Sequence, residues 1–263
     1  MLTKDQLEDL AQLQTVAEHF GAEVAIIGAA ALHCFVDLDR FTMDVDLAVA
    51  LDLEDFAVFS VELRERGWTR ELHREHRWRG PNGSLIDLVP AGPNLRAARR
   101  IVWPESQFEM SLVGFEHVFT RSVFFSFTND VQIKVAPPPV IALLKIVAYT
   151  EDPHRRLKDL MDLKWLFRHY ETSSNRIFGD DVFAAELEDI EYANAFLLGS
   201  DVGALATNED AGVVNAFLGK LRISAEEVAD FDRNDFEQSN ALRFQVQLGA
   251  FEKGFISGRS TAP

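Results

Sequence analysis

Apolar residues recur at Leu7, Leu10, Leu13, Val16, Ala17 and Phe20, the three-and-four spacing of one helix face. Thr3 with Gln6 three residues on reads as a capping box and Gly21 as a stop, so a helix is predicted from Thr3 to Phe20. Glu23 to Ile27 reads as a short buried strand with Gly28 at its exit, and Ala29 to Phe35 as a helix. After a polar connection, Met43 to Val49 alternates acidic and aliphatic residues. A strand there puts Asp44 and Asp46 on one face and Val45, Leu47 and Val49 on the other. Leu53 to Arg66 reads as a helix closed by Gly67, and Trp68 to Arg79 as extended chain. Gly80-Pro81-Asn82-Gly83 marks a turn. Ser84 to Val89 returns as a strand, with Asp87 set among Leu85, Ile86, Leu88 and Val89.

Pro90 to Gln107 is loop-rich, and Ser111 to Val135 reads as further strands with a turn near Thr128-Asn129-Asp130. Three consecutive prolines, Pro137 to Pro139, continue neither a strand nor a helix interior. They place a boundary between domains of residues 1–136 and 137–263. Beyond it the pattern is helical: Ile141 to Thr150, Arg155 to Tyr170, Asp181 to Glu188, Glu191 to Leu198, the region from Ala204 to Gly219, Ala225 to Asp230, and Asp235 to Glu252. The tail from Ser257 to Pro263 is small and polar and is expected to fray. The fold class expected is α/β (α+β), a mixed-sheet domain followed by an all-helical C-terminal domain.

Charge changes the picture more than bulk composition does. The formal net charge of −16 argues against a broad nucleic-acid-binding surface. It is distributed unevenly: Arg64 to Arg100 holds nine arginines against four acids, whereas Glu171 onward holds 7 basic and 17 acidic residues. The basic stretch suits a phosphate-bearing ligand or a solvated surface of mixed sign. No apolar run approaches the roughly 20 residues that cross a bilayer. The acidic, amphipathic start is unlike a signal peptide. Cys34 is the single cysteine, so no intrachain disulfide forms, and a reducing cytoplasm is expected.

The candidate chemistry lies with Asp44, Asp46 and Asp87. Paired carboxylates repel unless a cation sits between them, and a divalent metal suits them, as does a merely acidic solvent face. Asp87 amid aliphatic residues needs a partner, or else lies on an exposed edge strand. His73 and His76 flank Glu75 but lack a third zinc ligand. Phe124, Phe125 and Phe127 read as strand core, and Cys34 as a small core residue.

Ile26-Ile27-Gly28-Ala29, then Asp44-Val45-Asp46, then Ile86-Asp87-Leu88 resemble the signature of the DNA-polymerase-beta-like nucleotidyltransferase superfamily. Arg40-Phe41-Thr42-Met43-Asp44-Val45-Asp46, Lys145, and Lys158-Asp159-Leu160-Met161-Asp162-Leu163 narrow the resemblance to its minimal, toxin-like AbiEii-type branch. The resemblance covers roughly residues 20 to 170. It implies transfer of a nucleoside monophosphate from an NTP to an acceptor hydroxyl with release of pyrophosphate, in the manner of a toxin of toxin–antitoxin or abortive-infection systems. It further implies two Mg²⁺ ions, or Mn²⁺, on Asp44 and Asp46, with Asp87 binding the catalytic ion and helping to deprotonate the acceptor.

Gly28 and Ala29 would hold the triphosphate through backbone N–H groups. Arg40 and Thr42 share the acidic strand face if the strand extends back, and Arg40 either reaches a phosphate or balances Asp37 and Asp39. Lys145 either reaches phosphate or snorkels from an apolar helix, and Lys158 is a secondary candidate. In this reading the active site lies in the cleft between the two domains. The partners implied are NTP, an acceptor that is RNA, protein or small molecule, and an antitoxin protein, with no membrane. Ala29 stands where the family has Gly or Ser. It motivates an alternative, a nucleotide-binding or regulatory protein of the same fold without turnover. A small-molecule nucleotidyltransferase of the aminoglycoside-modifying kind is a further alternative.

Overall fold

The first helix, α1 (Lys4–His19), carries its capping box. Thr3 Oγ1 accepts from the Gln6 N–H at 3.2 Å, and Gln6 Oε1 accepts from the Thr3 N–H at 2.8 Å. Donors left over at the helix start are thereby satisfied. Gln6 Nε2 also donates to the Met43 carbonyl at 3.1 Å, which ties the helix to the beginning of the acidic strand. Further along, the fully buried Asp9 accepts from the Asn82 and Ser84 N–H groups at 3.1 and 3.2 Å. This pins α1 to the turn at residues 80–83.

The computed structural model describes residues 2–37, 42–128, 131–171, 174–222 and 235–261. It divides into two units, residues 1–141 and 142–263. In the first, β1 (Val24–Ile27) leads into α2 (Gly28–Phe35), and β2 (Asp44–Val49) into α3 (Leu53–Glu65). Then follow β3 (Thr69–Arg70), β4 (Arg77–Arg79), β5 (Leu85–Pro90), α4 (Pro93–Ala98), β6 (Arg100–Val102), β7 (Glu109–Ser111), α5 (Phe115–Arg121), β8 (Val123–Ser126) and β9 (Gln132–Val135). Seven strands form one sheet in the order β3-β4-β5-β2-β1-β9-β8, while β6 and β7 pair separately. The sheet is mixed, with β2 parallel to β5 and β1 parallel to β9. The other pairings in it are antiparallel. Helix α2 packs on β1 and β2.

Several sequence expectations change. The region from Ser111 to Val135, which reads as further strands, contains α5, begun by Gly114 at φ 84°. Phe115, Val118 and Phe119 are buried at helical spacing, a period that the local richness in aromatic and β-branched residues conceals. Phe124 is 67% exposed rather than core, because β8 is an edge strand. Between Trp68 and Arg79 only β3 and β4 are strand.

Helix α6 (Pro138–Glu151) starts within the proline run, three residues before the predicted start. Prolines fit a first helical turn, whose N–H groups have no helical acceptor. The Pro137 carbonyl accepts from Val140 and Ile141 at 3.0 and 3.1 Å. The division at residues 141 and 142 therefore falls inside a helix.

Among the described residues the second unit holds α7 (Leu157–His169), α8 (Asp180–Ala184), α9 (Ala193–Leu205), α10 (Asn208–Leu221) and α11 (Asp235–Thr261). The helix predicted over Ala225 to Asp230 lies outside the described residues. Helix α11 runs on to Thr261, through most of the tail expected to fray. The cause is close packing on α9. A β-carbon added at Gly199 or Gly203 would overlap the carbonyls of Phe251 or Phe255, and one at Gly254 or Gly258 those of Phe196 or Ser200. The two backbones thus touch at four glycines.

We expect Gly254→Val to destabilise the protein by about 1–3 kcal/mol or more through overpacking. Gly249→Ala, where nothing lies within 4 Å, should stabilise it by roughly 0.5–1 kcal/mol through helix propensity. Urea melts of both variants check the opposite signs; equal effects would refute the backbone contact.

Candidate active site

Strand pairing assembles the acidic cluster. In the register of β1, β2, β5 and β4, Ile27 lies opposite Asp46, Asp46 opposite Asp87, and Asp87 opposite Arg77. Residues directly opposite on neighbouring strands project to the same face. Asp44, two residues before Asp46, shares that face. The alternation along β2 is visible in burial: Val45 and Leu47 are fully buried, while Asp44 and Asp46 are half-buried.

Among the described residues a cation set among these carboxylates is Arg77, which the sequence alone did not single out. Its Nε donates to Asp87 Oδ1 at 2.7 Å and its Nη2 to Asp87 Oδ2 at 2.7 Å. The same Nη2 donates to Asp44 Oδ2 at 2.9 Å. A bidentate, charge-assisted grip of this kind is the strong form of the interaction. The hydrogen bond to Asp87 holds the Arg77 pKa above its already high ordinary value, against the opposing effect of burial. A signal for Arg77 was present in the sequence. Counting back across the turn at residues 80–83 pairs Arg79 with Leu85, Trp78 with Ile86 and Arg77 with Asp87.

Thr42 donates from Oγ1 to Asp44 Oδ1 at 3.0 Å and so orients that carboxylate. Arg40 lies outside the described residues. Gly28 opens α2 at φ 69°, a left-handed conformation that suits glycine, and a β-carbon there would overlap the Asp46 carboxylate. Its lack of a side chain thus makes room for Asp46 as well as for any ligand at the helix start. The preceding Ile27 provides no side-chain cap, so the N–H groups of the first turn receive no cap from that side. Ala29 is buried at 5% exposure.

A pocket of about 160 Å³ opens beside the cluster, lined by Thr42, Asp44, Ala30, His33, Cys34 and Phe125 among others. Burial pushes the Cys34 thiol up to about 11, so it stays protonated at neutral pH.

In the second unit, Lys145 is buried on α6 and ion-paired to Asp159 at 2.9 Å and Asp162 at 2.7 Å. Burial alone would lower its pKa; the two carboxylates overcome this and hold it above the ordinary lysine value. Lys145 is thus neither snorkelling nor surface-exposed. Lys158 is exposed, and the α7 residues that meet Lys145 are Asp159 and Asp162.

The donor set fits a divalent cation at Asp44 and Asp46. These are hard oxygen ligands on one strand face, with Asp44 at 40% side-chain exposure. Both oxygens of Asp87 accept from Arg77, and those of Asp44 accept from Thr42 and Arg77, so each carboxylate is held in place by protein donors.

No curated protein matches the chain in sequence. Among solved structures it is similar to JHP933 from Helicobacter pylori, at 14% identity over 99% of this chain and 97% of that one, with a TM-score of 0.39. It is also similar to an antigenic nucleotidyltransferase-like protein from Paracoccidioides brasiliensis, at 16% identity over 96% and 94% of the two chains, with a TM-score of 0.38. A third is the antibiotic-resistance factor ANT(2'')-Ia, at 12% identity over 60% of this chain and 82% of that one, TM-score 0.38. The family model described as "Nucleotidyl transferase AbiEii toxin, Type IV TA system" matches residues 10–257, and the chain therefore belongs to the AbiEii nucleotidyltransferase toxin family.

Proposed function

We propose that the protein transfers a nucleoside monophosphate from an NTP to an acceptor hydroxyl, with release of pyrophosphate, as the toxin of a toxin–antitoxin pair. The observation that carries this is the convergence of Asp44, Asp46 and Asp87 on one sheet face, through the pairing of β2 with β5, beside a glycine where even a β-carbon would meet Asp46. Family membership supports the reaction class, the NTP substrate and an antitoxin partner.

In this reading Asp44 and Asp46 hold a divalent ion, Mg²⁺ or Mn²⁺. When bound, such an ion neutralises charge that develops on the transferring phosphoryl group and on the leaving pyrophosphate. Thr42 fixes the Asp44 carboxylate for that role. Asp87 is the third acidic member of the set, its charge shared with Arg77. The first-turn N–H groups at Gly28 and Ala29 would bind the triphosphate, a role that a helix N-terminus performs for anions. Arg40, Lys145 and Lys158 enter as phosphate contacts through the family resemblance alone. Among the described residues no helix is long and apolar enough to cross a membrane.

The test is incubation of the protein with each α-labelled NTP, Mg²⁺ or Mn²⁺, and cell extract. Label is expected in one acceptor class, dependent on the metal and on one preferred NTP. Resolving the products into RNA, protein and small molecules names the acceptor. Absence of transfer from every NTP under both metals would overturn the reading.

A further inference from the structure

Two aromatic side chains near the carboxylates are only partly covered. Phe125 on β8 and Phe127 just beyond it are half-buried, although the sequence pattern reads both as strand core. Their ring centroids lie 5.0 Å apart, and Phe125 also meets Phe35 of α2 edge-on at 6.4 Å. Both phenylalanines line the pocket of about 160 Å³ that Asp44 and Thr42 also line. The lining residues all belong to the first unit.

The volume bounds what can enter. A cavity of about 150 Å³ with apolar walls takes up one benzene ring. Here Ala30, Cys34, Phe125 and Phe127 offer apolar surface, while Thr42 and Ser126 bring hydroxyl groups. A flat ring with polar atoms at its edge suits such a lining. Asp44 narrows the choice. A group in this pocket lies against a carboxylate assigned to the ion, so it is part of one of the two reactants. Helix α2 favours the nucleotide. Its first turn, at Gly28 and Ala29, is where the triphosphate would bind, and Ala30 and Cys34 follow on the same helix. At a rise of 1.5 Å per residue, Cys34 is about 9 Å along the axis from Gly28.

We propose that this pocket is the subsite for the base of the NTP, with Phe125 and Phe127 as the aromatic wall against which the base stacks. The inference rests on the NTP-transfer reading given under Proposed function. It adds the place of the base, which neither the carboxylates nor the helix start supplies. Every base has a π-face, so this wall grips the nucleotide without choosing among the four.

Cys34 is the single cysteine and lines the pocket, so a thiol reagent reads the pocket directly. The test measures the rate of its labelling by N-ethylmaleimide on the full chain with Mg²⁺, in mildly alkaline buffer. The probes are the α,β-methylene analogues of the four NTPs, which cannot be transferred, and inorganic triphosphate, which has the phosphates and no base. Calorimetry gives the affinity of each. An analogue at ten times its Kd is expected to slow labelling by about tenfold, as the unoccupied fraction falls. Saturating inorganic triphosphate should leave the rate unchanged. Phe125→Ala and Phe127→Ala should each weaken analogue binding by roughly 5–150-fold, the worth of one stacked base, and leave inorganic triphosphate affinity as it is.

Analogue binding that leaves Cys34 labelling unchanged would overturn the base subsite while leaving nucleotide transfer intact. So would equal protection by inorganic triphosphate, or full analogue affinity in both phenylalanine variants. If none of the four analogues binds the wild type, the reading under Proposed function falls as well. Circular dichroism verifies folding. Phe127→Ala decides alone should Phe125→Ala, which also gives up the contact with Phe35, not fold.

Discussion

Asp44→Asn is expected to lower NTP turnover by about 10³-fold or more, equivalent to roughly 4 kcal/mol of transition-state stabilisation. The substitution keeps the shape and the acceptor oxygen for Thr42, but removes the charge that an ion on this face requires. Folding should be untouched or slightly improved, because Asp44 is 40% exposed and Asp87 retains its own bidentate partner in Arg77. Loss of a surface-side charge pair costs little in stability. Turnover and thermal melting measured on the same preparation separate the two effects. A variant that melts like the wild type and turns over within tenfold of it would remove Asp44 from the chemistry.

The second large effect is on stability. Lys145→Met should destabilise the protein by about 3–5 kcal/mol, because it takes the balancing ammonium away from a buried carboxylate. Asp162 is 1% exposed and lies 2.7 Å from the Lys145 ammonium. The double variant Lys145→Met/Asp162→Leu should recover most of the loss, since a buried ion pair as a whole adds little over apolar packing. The Lys145 pKa is raised in the folded protein, so the stability linked to it is fully present below the ordinary lysine value of about 10.5. It is lost only as pH rises through the higher folded value. The gap between wild type and Lys145→Met should therefore persist across neutral pH. Chemical denaturation curves measure it, and a single variant within a few tenths of a kcal/mol of wild type would refute the pair's role.

Much of the sheet could be read from the chain because its strands are short, aliphatic and bounded by glycine. β1 ends at Gly28, α3 at Gly67, and the hairpin between β4 and β5 turns through Gly80 and Gly83. Each of these punctuates the pattern for a steric reason. The acidic face of β2 followed from period two alone. Three features were harder to read. Helix α5 is built from Phe, Val and Thr, residue types that favour strands, and burial of Phe115, Val118 and Phe119 overrides that preference. The first turn of α6 hides in prolines. Arg77 is one of nine arginines in a basic stretch, and only strand register separates it from the solvated ones. In the sequence Asp159 and Asp162 stand out only as part of the string from Lys158 to Leu163. Their burial around Lys145 depends on how α6 meets α7, a tertiary fact that local spacing does not contain.

The glycine seam between α9 and α11 also sets an order in time. The last strand of the acidic sheet is complete at Val135, whereas α9 cannot close against its partner until the ribosome has passed Gly258, more than fifty residues after α9 itself was made. Domains tend to fold as they emerge. A growing chain thus holds its assembled carboxylates well before its helical half can seal.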